Sequence, residues 1–543
     1  MNLNDQQREA VYSDASRILC LAGAGSGKTF VLISRILRLV DEGVDPRSIL
    51  ALTFTNAAAF EMLERFNARS TSSTTPEFKT FHAFCYSLIA SDKSVRLKVG
   101  YAETPGIATD EDQKRIRKEA ALQLGIKISD KKLSGKVALT DREKQDVLLI
   151  NKAQLRLMKQ KNLITFDEMC RSVCRLFSRD DESIQKYKER YRYVFADEYQ
   201  DTDPIQHEFI TSFENSNLFV VADALQAIYA FRGADSSIVK SLAEDEAWTT
   251  IKLYENYRST VQICEYANNF SKYADDSYRI PLHAERRGPS VNIIADNSGP
   301  SWGGYVSNIV LKKLVDTYQS HREDSAILAR TNAEVSYISE YLTSEHIEFV
   351  SKDDHDEASH ILKSAADESF GVSWLASLLP ASQYNQYIML STRYENSNSE
   401  SYRLDEFLKE FGFVYEVSKR LDDIIAIQNI LRDTPDLTTR ISKISSKLNV
   451  SFDAVDEGLS DKELLLALAD SVQTKFEDAD LYVGTIHSVK GLEYENVYVV
   501  GVDGSTFPLN SEENKNLFYV AITRAKTRLT VFISKNSLDE YMR

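Results

Sequence analysis

The chemistry of the chain centres on residues 22–29, whose sequence AGAGSGKT is suited to binding phosphate groups. A short apolar run precedes this stretch and a helical pattern follows it, which predicts a strand, a glycine-rich turn and a helix. Glycines let backbone N–H groups close around phosphate oxygens, and the helix dipole adds to the attraction. Ala22 replaces the usual first glycine of this pattern. The stretch predicts a nucleoside triphosphate site, against the alternative of a glycine-rich turn with a chance lysine and threonine.

The residues of this turn have separate expected roles. The Lys28 ammonium would reach the β- and γ-phosphates, and the Thr29 hydroxyl would bind Mg²⁺. The groups expected to surround the phosphates belong to Ala24, Gly25, Ser26, Gly27, Lys28 and Thr29.

Two adjacent carboxylates, Asp197 and Glu198, follow a predicted strand over residues 193–196. Phosphoryl transfer needs one group that holds Mg²⁺ and another that orients or deprotonates the attacking water. We assign Asp197 to the metal and Glu198 to the base. Gln226 comes shortly after another predicted strand, over residues 218–222, where it could sense the γ-phosphate.

Three further residues are candidates for contacts with the nucleotide. Gln7 lies upstream of the glycine-rich turn, where its amide could pair with adenine; a solvated helix glutamine is the alternative. Tyr257 could stack on adenine, and Arg258 could reach the γ-phosphate from across a domain cleft. The predicted cofactors are therefore ATP and Mg²⁺.

Polar and aromatic residues also follow two other predicted strands. Phe54, Thr55 and Asn56 end one strand, and His82 follows the next. Ligands of parallel α/β sheets lie at the carboxyl ends of the strands, so these residues could hold a phosphate backbone and stack on bases. Each aromatic residue taken alone is more typical of a protein core.

Size and charge narrow the class of protein. A chain of 543 residues is long enough for three or four domains. Its net charge of −16 argues against a uniformly basic nucleic-acid binder. Five cysteines without zinc-ligand spacing, with no signal sequence or long apolar span, predict a cytoplasmic protein without a membrane segment.

The charge is unevenly distributed. Residues 111–161 carry 14 Lys/Arg and 7 Asp/Glu, a balance of +7 that suggests a surface facing a polyanion; a solvated helix is the alternative. Residues 351–475 carry 22 Asp/Glu and 13 Lys/Arg, a balance of −9 that is unsuited to facing DNA.

The order of these motifs closely resembles that of superfamily 1A helicases of the UvrD, Rep and PcrA type. The most diagnostic matches are Gly-Leu-Glu at 491–493 and Ile-Thr-Arg-Ala-Lys at 522–526. The complete set of matching segments is 3–11, 22–29, 52–56, 80–82, 197–202, 226–234, 256–260, 326–333, 484–493 and 517–526.

The resemblance implies an α/β fold with two RecA-like P-loop domains, parallel sheets and helical insertions. The implied order along the chain is domain 1A (1–90), basic helical insertion 1B (91–165), 1A again (166–255), domain 2A (256–350), an acidic insertion in place of 2B (351–475) and 2A again (476–543).

The resemblance also implies residue roles. ATP would bind between the two domains, with Arg258 and the arginine finger Arg524 supplied by the second and Glu493 near the ribose. Single-stranded DNA would contact Phe54, Thr55, Asn56, His82, Phe166, Tyr229, Phe231, Thr485 and His487.

The expected function is ATP-dependent translocation on single-stranded DNA, or on DNA with a single-stranded tail, in the 3′→5′ direction. The alternative is a DNA-end-sensing ATPase that regulates a partner nuclease through residues 351–475. Compact helicases of that kind occur in Gabija-type phage-defence systems, which this chain resembles only in general layout.

Overall fold

The computed structural model describes residues 3–129, 140–296, 307–351, 361–362, 426–427, 429–448, 450–452, 460–470, 472–474, 480–503, 507–509 and 511–537. These residues form two compact units. The first comprises the described parts of Met1–Val291 and Pro508–Arg528, and the second those of Asn292–Phe507 and Leu529–Leu538.

The strands are β1 Arg17–Ala22, β2 Ile49–Thr53, β3 Glu77–Thr80, β4 Gly106–Ile107, β5 Leu163–Ile164, β6 Tyr193–Ala196, β7 Asn217–Ala222, β8 Thr249–Leu253, β9 Asn292–Asp296, β10 Ser325–Ala329, β11 Val350–Ser351, β12 Val450–Phe452, β13 Val472–Thr474, β14 Leu481–Thr485, β15 Tyr494–Val502 and β16 Ala525–Ser534.

The helices are α1 Asp5–Tyr12, α2 Lys28–Asp41, α3 Asn56–Asn67, α4 Phe81–Ser91, α5 Lys93–Val99, α6 Asp110–Gln123, α7 Asp141–Gln160, α8 Phe166–Ser178, α9 Gln185–Arg190, α10 Pro204–Thr211, α11 Ser237–Glu244, α12 Val261–Phe270, α13 Asn308–Gln319, α14 Asn332–Ser344, α15 Leu437–Leu448, α16 Asp461–Asp470 and α17 Glu512–Ile522.

A six-stranded parallel sheet of order β3-β2-β6-β7-β1-β8 forms the centre of the first unit. Successive side chains of a strand point to opposite faces of the sheet. Leu19 and Leu21 of β1 therefore join a core with α4, α8 and α10, and Ile18 and Cys20 join another with α1 and α2. The sheet is buried on both faces, as parallel sheets require.

Local sequence explains where helices follow the strands of this sheet. Thr55 comes two residues after β2, and its hydroxyl accepts a hydrogen bond of 3.1 Å from the Ala58 N–H. Thr80 ends β3, and its hydroxyl accepts one of 3.0 Å from the Ala83 N–H. These N-caps satisfy helix donors that have no partner within the helix. Each cap fixes the turn between a strand end and the next helix.

Helices α6 and α7 lie in the stretch predicted as the basic insertion, together with the two-stranded parallel sheet β4–β5. They share a core that includes Ile116, Ala120, Ile150 and Leu157. Residues 130–139, which contain part of the predicted positive charge, lie outside the described residues.

The second unit has its own six-stranded sheet, of order β11-β14-β10-β15-β16-β9. The pairs β11–β14, β14–β10, β10–β15 and β16–β9 are parallel. Leu314 of α13 and Ile338 of α14 pack with Ile327 and Val483 of the sheet in one core. Two units with parallel sheets confirm the predicted α/β class.

The described part of the acidic insertion contains a small core within the second unit. Residues of α15 and α16, including Ile444, Leu464 and Leu468, pack there with Ile427 and Leu431. Strands β12 and β13 form an antiparallel pair. The rest of the predicted insertion 351–475 lies outside the described residues.

Residues 256–291 and 508–528, which the sequence analysis assigns to the second RecA-like domain, are grouped with the first unit. The two stretches contact each other through Phe270 and Phe518, whose ring centroids are 4.8 Å apart. The Ser259 hydroxyl also donates a 2.7 Å hydrogen bond to the Ala525 carbonyl.

In the part of the chain that the structure describes, no helix is both long and apolar enough to span a membrane.

Candidate functional site

The glycine-rich turn connects β1, which ends at Ala22, to α2, which begins at Lys28. Gly25 and Gly27 have φ values of +68° and +82°, in the left-handed region that favours glycine. A Cβ on Gly25 would lie only 2.7 Å from the Arg258 Cβ. The turn thus has both the backbone conformation and the close packing that restrict it to glycine, and it ends where α2 presents unpaired N–H groups.

The Lys28 side chain is held at this turn. Its ammonium lies 3.6 Å from Asp223 Oδ2 and 3.5 Å from the Ala22 carbonyl oxygen. The side chain is 13% exposed, so its charge acts in a partly desolvated setting. The expected role of Lys28 as a cation beside bound phosphates stays a prediction.

The two predicted Mg²⁺ ligands lie together although 168 residues separate them. The Thr29 hydroxyl donates a 3.2 Å hydrogen bond to Asp197 Oδ2. Burial, and then the neighbouring Glu198 charge, raise the pKa of the Asp197 carboxyl. A cation would favour the ionised form, and oxygen donors are those that Mg²⁺ prefers. These two residues fit a Mg²⁺ ion that substrate phosphates and water would also coordinate.

Glu198 has a strained backbone, with φ of +51° in the left-handed region. Its N–H donates a 3.0 Å hydrogen bond to Asp197 Oδ1, and its carboxylate accepts one from the Gln200 amide. The Gln200 side-chain oxygen Oε1 accepts a 3.0 Å hydrogen bond from the Asp223 backbone N–H. Such strain persists where the surroundings enforce it, often at functional sites. Gln200, which the sequence analysis did not single out, orients the predicted base.

The predicted sensor and arginine finger are in direct contact. Gln226 donates a 2.6 Å hydrogen bond to Asp223 Oδ2 and accepts one of 3.0 Å from Arg524. Burial, and then the charge of Arg258, lower the pKa of Arg524 to about 9. Arg258 donates a 3.1 Å bond to the Thr523 carbonyl. Both arginines, expected from a second domain, therefore lie in the same unit as the glycine-rich turn.

Gln7 lies beside the turn, and its amide has partners within the protein. It donates a 3.1 Å hydrogen bond to the Ser26 carbonyl and accepts one of 3.2 Å from the Asn4 N–H. The Asn4 amide donates a 2.7 Å bond to the hydroxyl of Tyr257, whose side chain is mostly exposed. The predicted adenine contacts, Gln7 and Tyr257, are thus connected through Asn4, the N-cap of α1, whose contact with Tyr257 was not visible in the sequence.

Asn256 is a second residue whose role the sequence analysis missed. Its amide donates a 2.7 Å hydrogen bond to the Ala24 carbonyl. Its carbonyl oxygen accepts bonds of 2.9 Å from the Arg258 N–H and 2.6 Å from the Ser259 N–H. The buried amide therefore joins the glycine-rich turn to the segment that carries Arg258. An asparagine before Tyr-Arg-Ser was visible in the sequence, but its partners were not.

The predicted DNA-binding aromatics form two groups in the first unit. Phe54 and Tyr229 stack with centroids 5.5 Å apart and planes at 9°, and Phe231, 65% exposed, lies 6.0 Å from Tyr229. His82 and Phe166 are in edge contact at 5.5 Å. Phe166 and Phe231 are exposed, and Phe54, His82 and Tyr229 are half-buried. Accessible aromatic rings suit base stacking.

The other residues of the predicted DNA path have local roles or lie in the second unit. In the first unit, Thr55 caps α3 and Asn56 begins it, with an exposed side chain. In the second unit, the Thr485 hydroxyl accepts a 3.3 Å hydrogen bond from the Ser488 N–H, and His487 lies in the short helix that follows. Glu493, predicted near the ribose, is exposed in the second unit.

The thiols of Cys85 and Cys170 lie next to each other and beside His82. Hydrogen bonding to Cys85 and then to His82 lowers the pKa of Cys170, and the bond to Cys170 raises the pKa of His82. All five cysteines are buried and unpaired by disulfides. The sequence analysis found no chemical role for these cysteines, because nearness in space was not visible in their spacing.

We expect Cys170 to be alkylated by iodoacetamide at neutral pH well before Cys264. Burial raises the pKa of Cys264 to about 12, so it stays protonated, whereas the lowered pKa of Cys170 increases its reactive thiolate fraction. Timed labelling between pH 5 and 9, followed by peptide mass spectrometry, measures both rates. Equal rates for the two cysteines at every pH would contradict the expected thiolate.

A glycine-rich turn between β1 and α2, with Lys28, Thr29 and two adjacent carboxylates beside it, is the arrangement that characterises P-loop nucleotide hydrolases. Comparison with protein families narrows this class. Residues 3–247 match the UvrD/REP helicase N-terminal domain, and residues 251–356 and 377–536 match the UvrD-like helicase C-terminal domain. The chain therefore belongs to the UvrD/REP helicases of superfamily 1A, a family of ATP-dependent DNA helicases.

Individual relatives agree with this assignment. The chain is 27% identical to a probable DNA helicase II homolog of Mycoplasma capricolum, covering 99% of this chain and 85% of that protein. It is also 27% identical to the ATP-dependent DNA helicase PcrA of Staphylococcus epidermidis and of Staphylococcus aureus, covering 98% of this chain and 83% of each relative.

The comparisons confirm the predicted family as well as the fold class. The individual site roles, the exact domain boundaries, the nuclease partner and the cytoplasmic location stay predictions.

Proposed function

We propose that the chain hydrolyses Mg²⁺-ATP in order to move 3′→5′ along single-stranded DNA. One observation carries this proposal: the loop from Asp223 to Phe231 contains both the Gln226 contact with Arg524 and the Tyr229 stack on Phe54. Only two residues lie between Gln226, which is proposed to face the nucleotide, and Tyr229, which is proposed to face DNA. A change at either end would therefore reach the other through a short stretch of backbone.

The proposed hydrolysis assigns a separate task to each side chain. Thr29 and Asp197 would hold Mg²⁺, which when bound neutralises charge on the β- and γ-phosphates. Glu198, oriented by Gln200, would accept a proton from the attacking water. Lys28 and Arg524 would stabilise charge that develops on the transferred phosphoryl group.

The proposed DNA path uses stacking rather than recognition of base edges. Phe54, Tyr229 and Phe231 would hold one region of the strand, and His82 with Phe166 another. Contacts of this kind read the flat face that every base has, so we expect no marked sequence preference. The direction of movement rests on membership of the UvrD/REP family, and duplexes with a 3′ or a 5′ single-stranded tail test it directly.

We expect single-stranded DNA to stimulate steady-state ATP hydrolysis strongly, and Glu198→Gln to remove the stimulated activity. The amide keeps the shape of the carboxylate but cannot accept the proton, a loss of roughly 10²–10⁴-fold for a general base. Phosphate release measured with and without DNA gives both quantities. The exposed Glu189→Gln, in α9, is the matched control. Stimulated hydrolysis that survives in Glu198→Gln would contradict the assigned base.

The alternative function, regulation of a partner nuclease, depends on the acidic insertion. Its support is limited to the acidic balance and to the small core of α15 and α16. Strand-displacement assays of the isolated protein distinguish the two proposals. Processive unwinding without a partner favours the translocase, whereas DNA-stimulated hydrolysis without unwinding favours the regulatory role.

A further inference from the structure

Asn516 is a buried polar residue in the middle of α17, only 1% exposed. Its amide donates hydrogen bonds of 3.1 Å to the Ala227 carbonyl and 3.4 Å to the Ala224 carbonyl. Its carbonyl oxygen accepts a 2.8 Å bond from the Tyr273 hydroxyl. A buried asparagine with three partners specifies one arrangement of the groups around it.

The two carbonyls that Asn516 holds lie on either side of the predicted sensor. Ala224 begins the short 3₁₀ turn that ends at Gln226, and Ala227 follows it. Tyr229, which stacks on Phe54, comes only two residues later. Asn516 thus fixes the backbone at the point between the nucleotide side and the aromatic side of this loop.

The same helix contacts the loop at a second point. Arg524 follows the end of α17, two turns beyond Asn516, and donates the 3.0 Å hydrogen bond to the Gln226 side chain. Asn516 therefore holds the backbone around Gln226 while Arg524 holds its side chain. Any shift of the turn relative to α17 would therefore change the alignment of the Gln226 side chain with Arg524.

We propose that Asn516 is a positioning residue that couples DNA binding to ATP hydrolysis, by keeping the Ala224–Ala227 turn in register with Arg524. The inference rests on the proposed function and adds to it a buried residue that is not among the predicted ATP or DNA contacts. Tyr273 assists, because its hydroxyl fixes the orientation of the Asn516 amide. Tyr273 lies in a short 3₁₀ helix after α12, and the centroid of its ring is 5.7 Å from that of Phe270.

The chemistry of the amide explains why asparagine is needed. A leucine of similar size could neither donate to the two carbonyls nor accept from Tyr273, and would leave buried polar groups without their partner. An aspartate could still accept from Tyr273, but it would place a carboxylate oxygen against the carbonyls. Both substitutions should therefore remove the hydrogen bonds that hold the Ala224–Ala227 turn against α17. Tyr273→Phe removes only the bond that orients the Asn516 amide, so it should have a smaller effect.

The test compares Asn516→Leu, Asn516→Asp and Tyr273→Phe with the wild-type protein. Asn514→Leu, two residues earlier on α17 and partly exposed, is the matched control. We expect the DNA-stimulated kcat to fall roughly tenfold or more in both Asn516 variants and about threefold in Tyr273→Phe. The KM for ATP and the Kd for a fluorescent oligothymidine should stay within about twofold of wild type.

These readouts separate coupling from a general loss of structure. A folded Asn516→Leu protein with wild-type DNA-stimulated kcat would overturn the proposal. So would parallel losses of kcat, ATP affinity and DNA affinity together with a lowered melting temperature. If the Asn516 variants do not fold, the Tyr273→Phe variant serves as the test. A wild-type DNA-stimulated kcat in that variant would overturn the proposal. Absence of DNA stimulation in the wild-type protein would instead show that the proposed function itself has failed.

Discussion

Replacing Lys28 with alanine is expected to abolish ATP hydrolysis, with a loss of at least ~10²–10³-fold in the DNA-stimulated rate. Lys28 supplies the positive charge at the turn, where its ammonium lies 3.6 Å from Asp223. A partly desolvated cation stabilises charge developing on a phosphoryl group far more than a solvated one. Phosphate release at saturating DNA measures the loss, and binding of a fluorescent ATP analogue shows whether affinity falls as well.

Two control variants make the Lys28 experiment specific. Lys28→Arg keeps a positive charge but cannot reproduce the compact ammonium, so partial activity at most is expected. Lys93→Ala removes an exposed lysine at the start of α5 and should have no effect. Wild-type turnover by Lys28→Ala would contradict the assignment of residues 22–29 as the phosphate site.

The second large effect is expected for Arg524→Ala, which should still bind ATP but hydrolyse it about 10³-fold more slowly or worse. The Arg524 guanidinium is almost completely buried and donates to Gln226, to the Val520 carbonyl and to the Thr523 hydroxyl. Its charge is therefore both desolvated and oriented before the reaction, the condition under which an arginine finger is most effective. Single-turnover hydrolysis and ATP-analogue binding measure the two properties separately.

Removal of a buried guanidinium also alters packing, so the Arg524 experiment needs its own controls. Arg524→Lys keeps the charge without the planar fork and should stay strongly impaired. Arg47→Ala removes a largely exposed guanidinium and should behave as wild type. A melting temperature close to wild type together with hydrolysis within tenfold of wild type would show that Arg524 is not the finger.

The phosphate-binding turn and the two carboxylates were predictable because their chemistry is contained in short continuous motifs. Residues 22–29 prescribe a left-handed backbone at Gly25 and Gly27, and the structure has φ values of +68° and +82° there. Asp197 and Thr29 were assigned to one metal from residue type and position in their motifs, and the Thr29 hydroxyl lies 3.2 Å from Asp197 Oδ2. In these cases the local sequence prescribes the conformation, and the chemistry assigned to the residues stays a prediction.

The roles of the amide side chains were not predictable in the same way. Gln200, Asn256 and Asn516 are buried, and each joins segments that are distant in the sequence or orients a neighbouring carboxylate. An amide can donate and accept in many ways, so its role depends on which partners the fold supplies. The lowered pKa of Cys170 likewise results from contact with Cys85 on another helix.

The sequence by itself therefore determined the α/β class, the phosphate-binding turn, the candidate metal ligands and the family resemblance. Only the tertiary structure decided that residues 256–291 and 508–528 are grouped with the first unit, that Arg524 contacts Gln226, and that Asn516 holds the turn between Ala224 and Ala227. The physical reason is that strands, turns and caps depend on nearby residues, whereas the partner of a buried polar group depends on how distant segments pack together.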